Sequence, residues 1–72
     1  MDVQKIRKFC IENIIVLCDE YVTFNSQGFR SDNTPLINEL VLMFENDINV
    51  IILINTYIGD AAIAYVNSIK HS

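Results

Sequence analysis

The sequence predicts an all-α fold: a small bundle of three or four helices with a long first loop, formed by a single domain over residues 1–72. Apolar residues recur at helical spacing in three segments of the chain. Hydrophobic residues make up 51% of the 72 residues, enough for a compact core and too many for a disordered chain. One segment rich in β-branched residues, Asn49 to Tyr57, has no second strand to pair with.

The first helix is expected from about Asp2 to Glu20. Asp2 is a suitable N-cap, because its carboxylate can accept from a free backbone N–H and also suits the helix dipole. One face of this helix is apolar and consists of Val3, Ile6, Cys10, Ile14 and Leu17. The connection that follows, Tyr21 to Asn33, is rich in turn-forming residues. A loop of 13 residues is long for so small a domain, and long ordered loops are often functional.

A central helix is predicted to begin with Thr34 as the N-cap and Pro35 as the first helical residue. The threonine hydroxyl can accept from a free backbone N–H, and proline has no N–H to leave unpaired. This helix is expected to reach about Val50, with its apolar side inward and its carboxylates outward. The outward carboxylates are those of Glu39, Glu45 and Asp47.

The segment from Asn49 to Tyr57 is interpreted as the end of the central helix followed by an irregular or one-turn helical crossover. Gly59 and Asp60 then open a last helix, which is expected from Ala61 to about Lys70. Its predicted inner face consists of Ala62, Tyr65, Val66 and Ile69.

Charge is unevenly distributed along the chain. The formal net charge is −4, and between Phe9 and Ile69 there are eight acids and one base, Arg30. An acidic body argues against nucleic acid or an anionic membrane as the partner and favours a basic protein surface. The apolar excess from Ile48 to Ile54 also leaves room for a homodimer.

No targeting signal is visible at the start of the sequence, so a cytoplasmic protein is expected. The longest apolar run, Val50 to Ile54, is far shorter than the ~20 residues that span a bilayer. The expectation is therefore that no segment crosses a membrane.

Residues for catalysis or metal binding are sparse. The single histidine, His71, lies in the C-terminal tail, and the two glycines are too far apart to form a phosphate-binding loop. Cys10 and Cys18 lie eight positions apart on a predicted helix, about 12 Å along its axis, which is too far for a disulfide. Both are interpreted as buried free thiols. The chain is therefore predicted to have no catalytic residues and no metal site, and not to be an enzyme.

Two runs of residues resemble the acyl and peptidyl carrier proteins. The run from Glu39 to Val50, which opens Glu-Leu-Val, looks like the second helix of that family. The run from Ile58 to Val66, which reads Ile-Gly-Asp-Ala-Ala-Ile-Ala-Tyr-Val, is similar to its last helix. The distance from Val3 to Glu39 suits the family's first helix and long first loop. The resemblance implies a carrier-like bundle that presents an acyl or aminoacyl group to biosynthetic enzymes.

The resemblance also implies a 4'-phosphopantetheine group on a hydroxyl at the start of the second helix. Carriers have an Asp-Ser-Leu triplet there, where this chain has Asn33, Thr34 and Pro35. Thr34 thus occupies the serine position by register. Ser31 matches it by residue type but requires a three-residue insertion. Both hydroxyls remain candidates for the attachment.

A second interpretation needs no prosthetic group. A small acidic helical protein can occupy the basic groove of a partner, as inhibitors, immunity proteins and assembly chaperones do. In this interpretation Glu39, Glu45 and Asp47 are the partner-binding residues. The two hypotheses differ in whether a hydroxyl is modified, and the sequence leaves both open.

Overall fold

The computed structural model describes residues 1–27 and 32–70 of the chain, and within these ranges it contains four helices and no strand. The helices are α1 (Val3–Glu12), α2 (Ile14–Gln27), α3 (Pro35–Met43) and α4 (Val50–Lys70). The predicted all-α class is confirmed, and the number of helices is at the upper end of the predicted range. The predicted start of the central helix at Pro35 and the predicted end of the last helix at Lys70 are confirmed, whereas the other bounds differ from those expected.

A single residue, Asn13, divides the predicted first helix into two. Asn13 has a φ of −117° and a ψ of 19°, which depart from α-helical values and end α1. Its side-chain amide donates to the carbonyl oxygen of Phe9 at 2.9 Å, beside the ordinary helical bond from its own backbone N–H at 3.1 Å. The expectation of one unbroken helix is therefore wrong. Asp2 does cap α1 as predicted, since its carboxylate accepts from the backbone N–H of Lys5 at 3.2 Å.

The predicted long first loop is also wrong, because α2 continues to Gln27. The segment from Tyr21 to Gln27 is helical, and its buried residue Phe24 belongs to the core. Only residues 28–34 separate α2 from α3.

The central helix ends earlier than expected, at Met43. Glu45 and Asn46, which follow, have φ angles of 58° and 56° and so lie in the left-handed region. Left-handed residues cannot continue a right-handed helix, and each carries a steric cost because its Cβ atom crowds the following carbonyl oxygen. The helix therefore ends before them, and Asp47 stabilises the turn by accepting from the backbone N–H of Asn49 at 2.8 Å.

The last two predicted elements form one helix. α4 runs unbroken for 21 residues, so the crossover and the helix start at Gly59 are both wrong. By length and composition alone, α4 is apolar enough to cross a membrane, which the short run Val50 to Ile54 did not indicate. Core helices of soluble proteins pass the same test, but they are mostly buried, whereas 17% of the apolar window of α4 is buried.

The core lies where α4 packs against the other three helices. Phe44 and Tyr57 pack ring against ring with their centres 5.3 Å apart, and this contact joins the end of α3 to the middle of α4. The buried apolar residues form one cluster: Ile6, Cys10, Ile14, Leu17, Phe24, Ile37, Leu40, Phe44, Ile54, Ile58 and Ala61. Because all four helices contribute residues to this cluster, its packing holds them in one arrangement.

Candidate functional site

The N-terminus of α3, where the carrier resemblance expects a modified hydroxyl, is capped by an acidic side chain from α2. The Glu20 carboxylate accepts from the backbone N–H of Leu36 at 2.9 Å and from that of Ile37 at 3.0 Å. Glu20 is itself buried. The first N–H groups of a helix attract anions, and here an internal carboxylate occupies them.

Thr34 is at the N-cap position, as predicted, but its side chain makes no capping hydrogen bond. The hydroxyl instead donates to Oδ1 of Asn38 at 3.5 Å. Thr34 has no exposed surface at all. A tethered arm needs an exposed hydroxyl, so attachment at Thr34 would require the start of α3 to open.

Ser31, the other attachment candidate, lies outside the described residues. Its neighbour in sequence, Asp32, is the first described residue after the gap and is exposed. Ser31 therefore remains a candidate on its residue type and its place in the sequence, four residues before Pro35.

Three carboxylates are exposed on α3 and in the turn that follows it, and we call them the acidic edge: those of Glu39, Glu45 and Asp47. Only Glu39 is on the helix, because Glu45 and Asp47 lie in the turn that follows. The prediction that the carboxylates face outward is confirmed by their exposure, while the single helix expected to carry them is not present. One oxygen of Glu45 lies 3.1 Å from the N-terminal ammonium of Met1, and the glutamate side chain remains 72% exposed.

The two thiols have different environments. Cys10 is buried as predicted, and desolvation raises the pKa of its thiol from 9.0 to about 11. Cys18 is exposed on α2, so the prediction of a second buried thiol is wrong. Within residues 1–27 and 32–70, no group of three His, Cys, Asp or Glu side chains is placed to hold a metal ion.

A groove of about 380 Å³ separates α1 from α4. Its floor is mostly apolar, with Ile11 on the α1 side and Tyr57, Ile63 and Ala64 on the α4 side. Arg7 from α1 and Asp60 from α4 also line it. Sequence reasoning missed this α1–α4 groove, because which helices are neighbours is decided by tertiary packing.

Much of the apolar surface of α4 is exposed. The inner face predicted for the last helix is wrong, because the helix extends past the core. Of its four residues, Ala62 is half-buried, and Tyr65, Val66 and Ile69 are exposed. The exposed apolar side chains of α4 are those of Ile51, Ile52, Ile63, Tyr65, Val66 and Ile69.

No protein-family model, curated protein or solved structure matches this chain. Function therefore has to be argued from the geometry of the described residues. Three features bear on it: the acidic edge, the capped N-terminus of α3, and the α1–α4 groove with the exposed face of α4.

Proposed function

We propose that this chain is a small non-enzymatic interaction module, which acts by docking its acidic edge on a basic surface of a partner protein. The observation that carries the proposal is the exposure of Glu39 on α3 and of Glu45 and Asp47 in the turn that follows it. No lysine or arginine occurs between Arg30 and Lys70, so the edge has no basic residue near it in sequence.

Electrostatics supports such a role. Charges at the rim of an interface steer two proteins together and fix their register, and contribute less to the final affinity. The turn that carries Glu45 and Asp47 is fixed by the left-handed residues and by the hydrogen bond from Asn49 to Asp47. Pre-ordered side chains lose less conformational entropy on binding.

The test is capture of partners from cell extract by the immobilised protein. The variant Glu39→Lys/Glu45→Lys reverses two charges of the acidic edge, and Asp47→Lys reverses the third separately. The matched control, Glu12→Lys/Asp19→Lys, reverses two exposed acids on α1 and α2. We expect the edge variants to lose a partner that the control retains, and the captured partner to elute with added salt. Equal capture by all the variants would overturn the proposal.

A second candidate function is delivery of an acyl or aminoacyl group through 4'-phosphopantetheine on Ser31. It is supported by the carrier-like runs from Glu39 and from Ile58, and by the place of Ser31 shortly before α3. Thr34 is the weaker attachment candidate, because its side chain is buried and Glu20 already caps the helix that a phosphate would need.

Intact mass after co-expression with a broad-specificity phosphopantetheinyl transferase tests this second function. We expect a gain of one phosphopantetheine that is lost in Ser31→Ala and kept in Thr34→Ala. An unmodified mass for the wild-type chain counts against a loaded carrier. It leaves the docking proposal intact, since docking by the acidic edge does not require a prosthetic group.

A further inference from the structure

Ile48 is the most exposed large apolar side chain in the described part of the chain, at 95%. It lies in the turn between α3 and α4, directly after Asp47 of the acidic edge. A single apolar residue on a protein surface is common and needs no explanation. Ile48 differs because the backbone holds it in place, and because exposed carboxylates and a second exposed apolar side chain lie on the same short segment.

Hydrogen bonds fix the backbone on both sides of Ile48. The backbone N–H of Asp47 donates to the carbonyl oxygen of Phe44 at 3.2 Å, and that of Val50 donates to the carbonyl oxygen of Asp47 at 3.1 Å. Phe44 is buried in the core and Val50 is half-buried, so both ends of the turn are attached to the bundle. Ile48 therefore extends from an ordered backbone, and its burial against a partner costs little backbone entropy.

A second exposed apolar side chain, that of Leu42, precedes the turn on α3 and is 68% exposed. Leu42 lies three residues after Glu39, so the two side chains are neighbours on the surface of the helix. Its carbonyl oxygen accepts from the backbone N–H of Glu45 at 3.0 Å, which joins it to the turn. Exposed acidic and exposed apolar side chains are thus interspersed along residues 39–48.

One partner surface is large enough to cover this whole segment. Residues 39–43 are helical and extend over about 6 Å at 1.5 Å per residue. The five Cα–Cα steps from Met43 to Ile48 add at most about 19 Å. A standard interface of roughly 800 Å² per partner is about 32 Å across if it is circular. The carboxylates and the apolar side chains therefore fit within one interface.

The charges beside Ile48 decide which kind of surface suits it. Glu45 and Asp47 precede it by three residues and by one. A second copy of this chain would bring the same carboxylates against them, and an anionic lipid surface would also repel them. A protein surface that is apolar at its centre and basic at its rim complements both kinds of side chain. Charge complementarity thus selects a basic protein as the occupant.

We propose that Ile48 is the apolar anchor of the docking surface: it enters an apolar pocket of the partner, and the acidic edge pairs with basic residues around that pocket. Leu42 supplies a second apolar contact. This inference rests on the proposed docking of the acidic edge and names the partner more closely, as a protein whose basic surface contains an apolar pocket. Ion pairs at the rim steer the two proteins together and are screened by salt, whereas a buried apolar anchor keeps them together.

A random-peptide library displayed on phage supplies the probe, with the wild-type protein as the immobilised bait. We expect the selected peptides to combine lysine or arginine with a large apolar residue. One such peptide, synthesised with a fluorescent label, is then titrated with each variant and followed by fluorescence anisotropy. Ile48→Ala should weaken its binding at least tenfold at every salt concentration, because salt does not screen an apolar contact. Glu39→Lys/Glu45→Lys should weaken it mainly at low salt.

Ile15→Ala is the matched control, because Ile15 is 66% exposed on α2, outside residues 39–48, and this variant should bind the peptide as wild type does. Circular dichroism of Ile48→Ala should match that of wild type, since the side chain is almost fully exposed in the folded chain.

Failure of this inference is distinct from failure of the proposed function. If Glu39→Lys/Glu45→Lys weakens binding and Ile48→Ala does not, docking by the acidic edge stands and the anchor is overturned. If neither variant weakens the binding of any selected peptide, or if no peptide is selected, both proposals are overturned.

Discussion

The carboxylate of Glu20 lies 2.9 Å from the backbone nitrogen of Leu36, so that a side chain of α2 caps the first turn of α3. The two residues are 16 positions apart, and the bond fixes the angle between their helices across the connection of residues 28–34. It also supplies the negative charge that a helix N-terminus favours. The side chain that caps α3 is thus that of Glu20, from another helix, and not that of Thr34 as expected.

Removal of this cap should destabilise the folded protein. Glu20→Ala leaves the N–H groups of Leu36 and Ile37 without their acceptor, and we expect the free energy of unfolding to fall by about 1–3 kcal/mol. Glu20→Gln should lower the free energy of unfolding by less, because the amide oxygen of glutamine can still accept one of these hydrogen bonds. Urea denaturation measures both, with Glu12→Ala as the exposed control. A Glu20→Ala variant as stable as wild type would show that water replaces the carboxylate without loss.

Two leucines on α3 give a matched test of the core. Leu40 is fully buried and Leu42 is 68% exposed. Leu40→Ala should lower the free energy of unfolding by about 2–5 kcal/mol through lost apolar contact and an internal cavity. Leu42→Ala should change it by less than about 0.5 kcal/mol. Similar losses for the two variants in chemical denaturation would mean that α3 is rotated about its axis.

Continuity of α4 can be tested at Gly59, which lies inside the helix and is exposed. A Cβ added there meets no heavy atom within 4 Å. Gly59→Ala should therefore raise the free energy of unfolding by about 1 kcal/mol, the difference in helix propensity between the two residues. Thermal unfolding monitored by circular dichroism measures this change in stability. A destabilised variant would instead support the helix start at Gly59 that the sequence predicted.

Because of backbone strain in the turn after α3, a glycine substitution there should have the opposite effect on stability from one inside α3. Glu45 has a φ of 58°, which glycine adopts without a steric cost. Glu45→Gly should therefore raise stability by up to about 1 kcal/mol, although it removes a surface ion pair with Met1. Glu39→Gly, inside α3, should lower stability by about 1 kcal/mol. Equal effects of the two variants in urea denaturation would contradict the left-handed turn.

Burial of Cys10 predicts a dependence of stability on alkaline pH. The folded chain holds the pKa of this thiol at about 11, above its ordinary value of 9.0. Stability from the protonated thiol is thus complete below pH 9 and is lost as pH rises towards 11, by at most about 3 kcal/mol. Unfolding measured from pH 8 to 11 should show this loss in the wild type and in Cys18→Ala. Cys10→Ala should lack it, and an identical pH profile in all three proteins would contradict the prediction.

The sequence predicted the faces of the helices better than their ends. Four of the five residues predicted for the apolar face of the first helix are buried, and the fifth, Val3, is exposed. The buried residues are Ile6, Cys10, Ile14 and Leu17. That spacing continues unchanged across Asn13, so the pattern contained no sign of the break between α1 and α2. The break lies in the backbone angles of Asn13, a φ of −117° and a ψ of 19°, which hydrophobic periodicity does not report.

Glycine and the β-branched run misled the prediction of the C-terminal half. Gly59 signals a helix end in many sequences, yet tertiary packing of Ile54, Ile58 and Ala61 on one face keeps α4 helical through it. At the candidate site, the exposure of Glu39 could be predicted, because this residue lies on the polar side of the predicted helix. The capping role of Glu20 could not be predicted, because it depends on how α2 and α3 lie in space.

The contrast between the two thiols also has a practical use. Cys18 is open to reagents on α2, whereas Cys10 is enclosed in the core and protonated at neutral pH. A maleimide dye or spin label will thus attach to one known position of the native protein. Cys18 is two residues before Glu20, the residue that caps α3. Fluorescence or magnetic resonance of the label can therefore detect motion of α2 relative to α3 without an engineered cysteine.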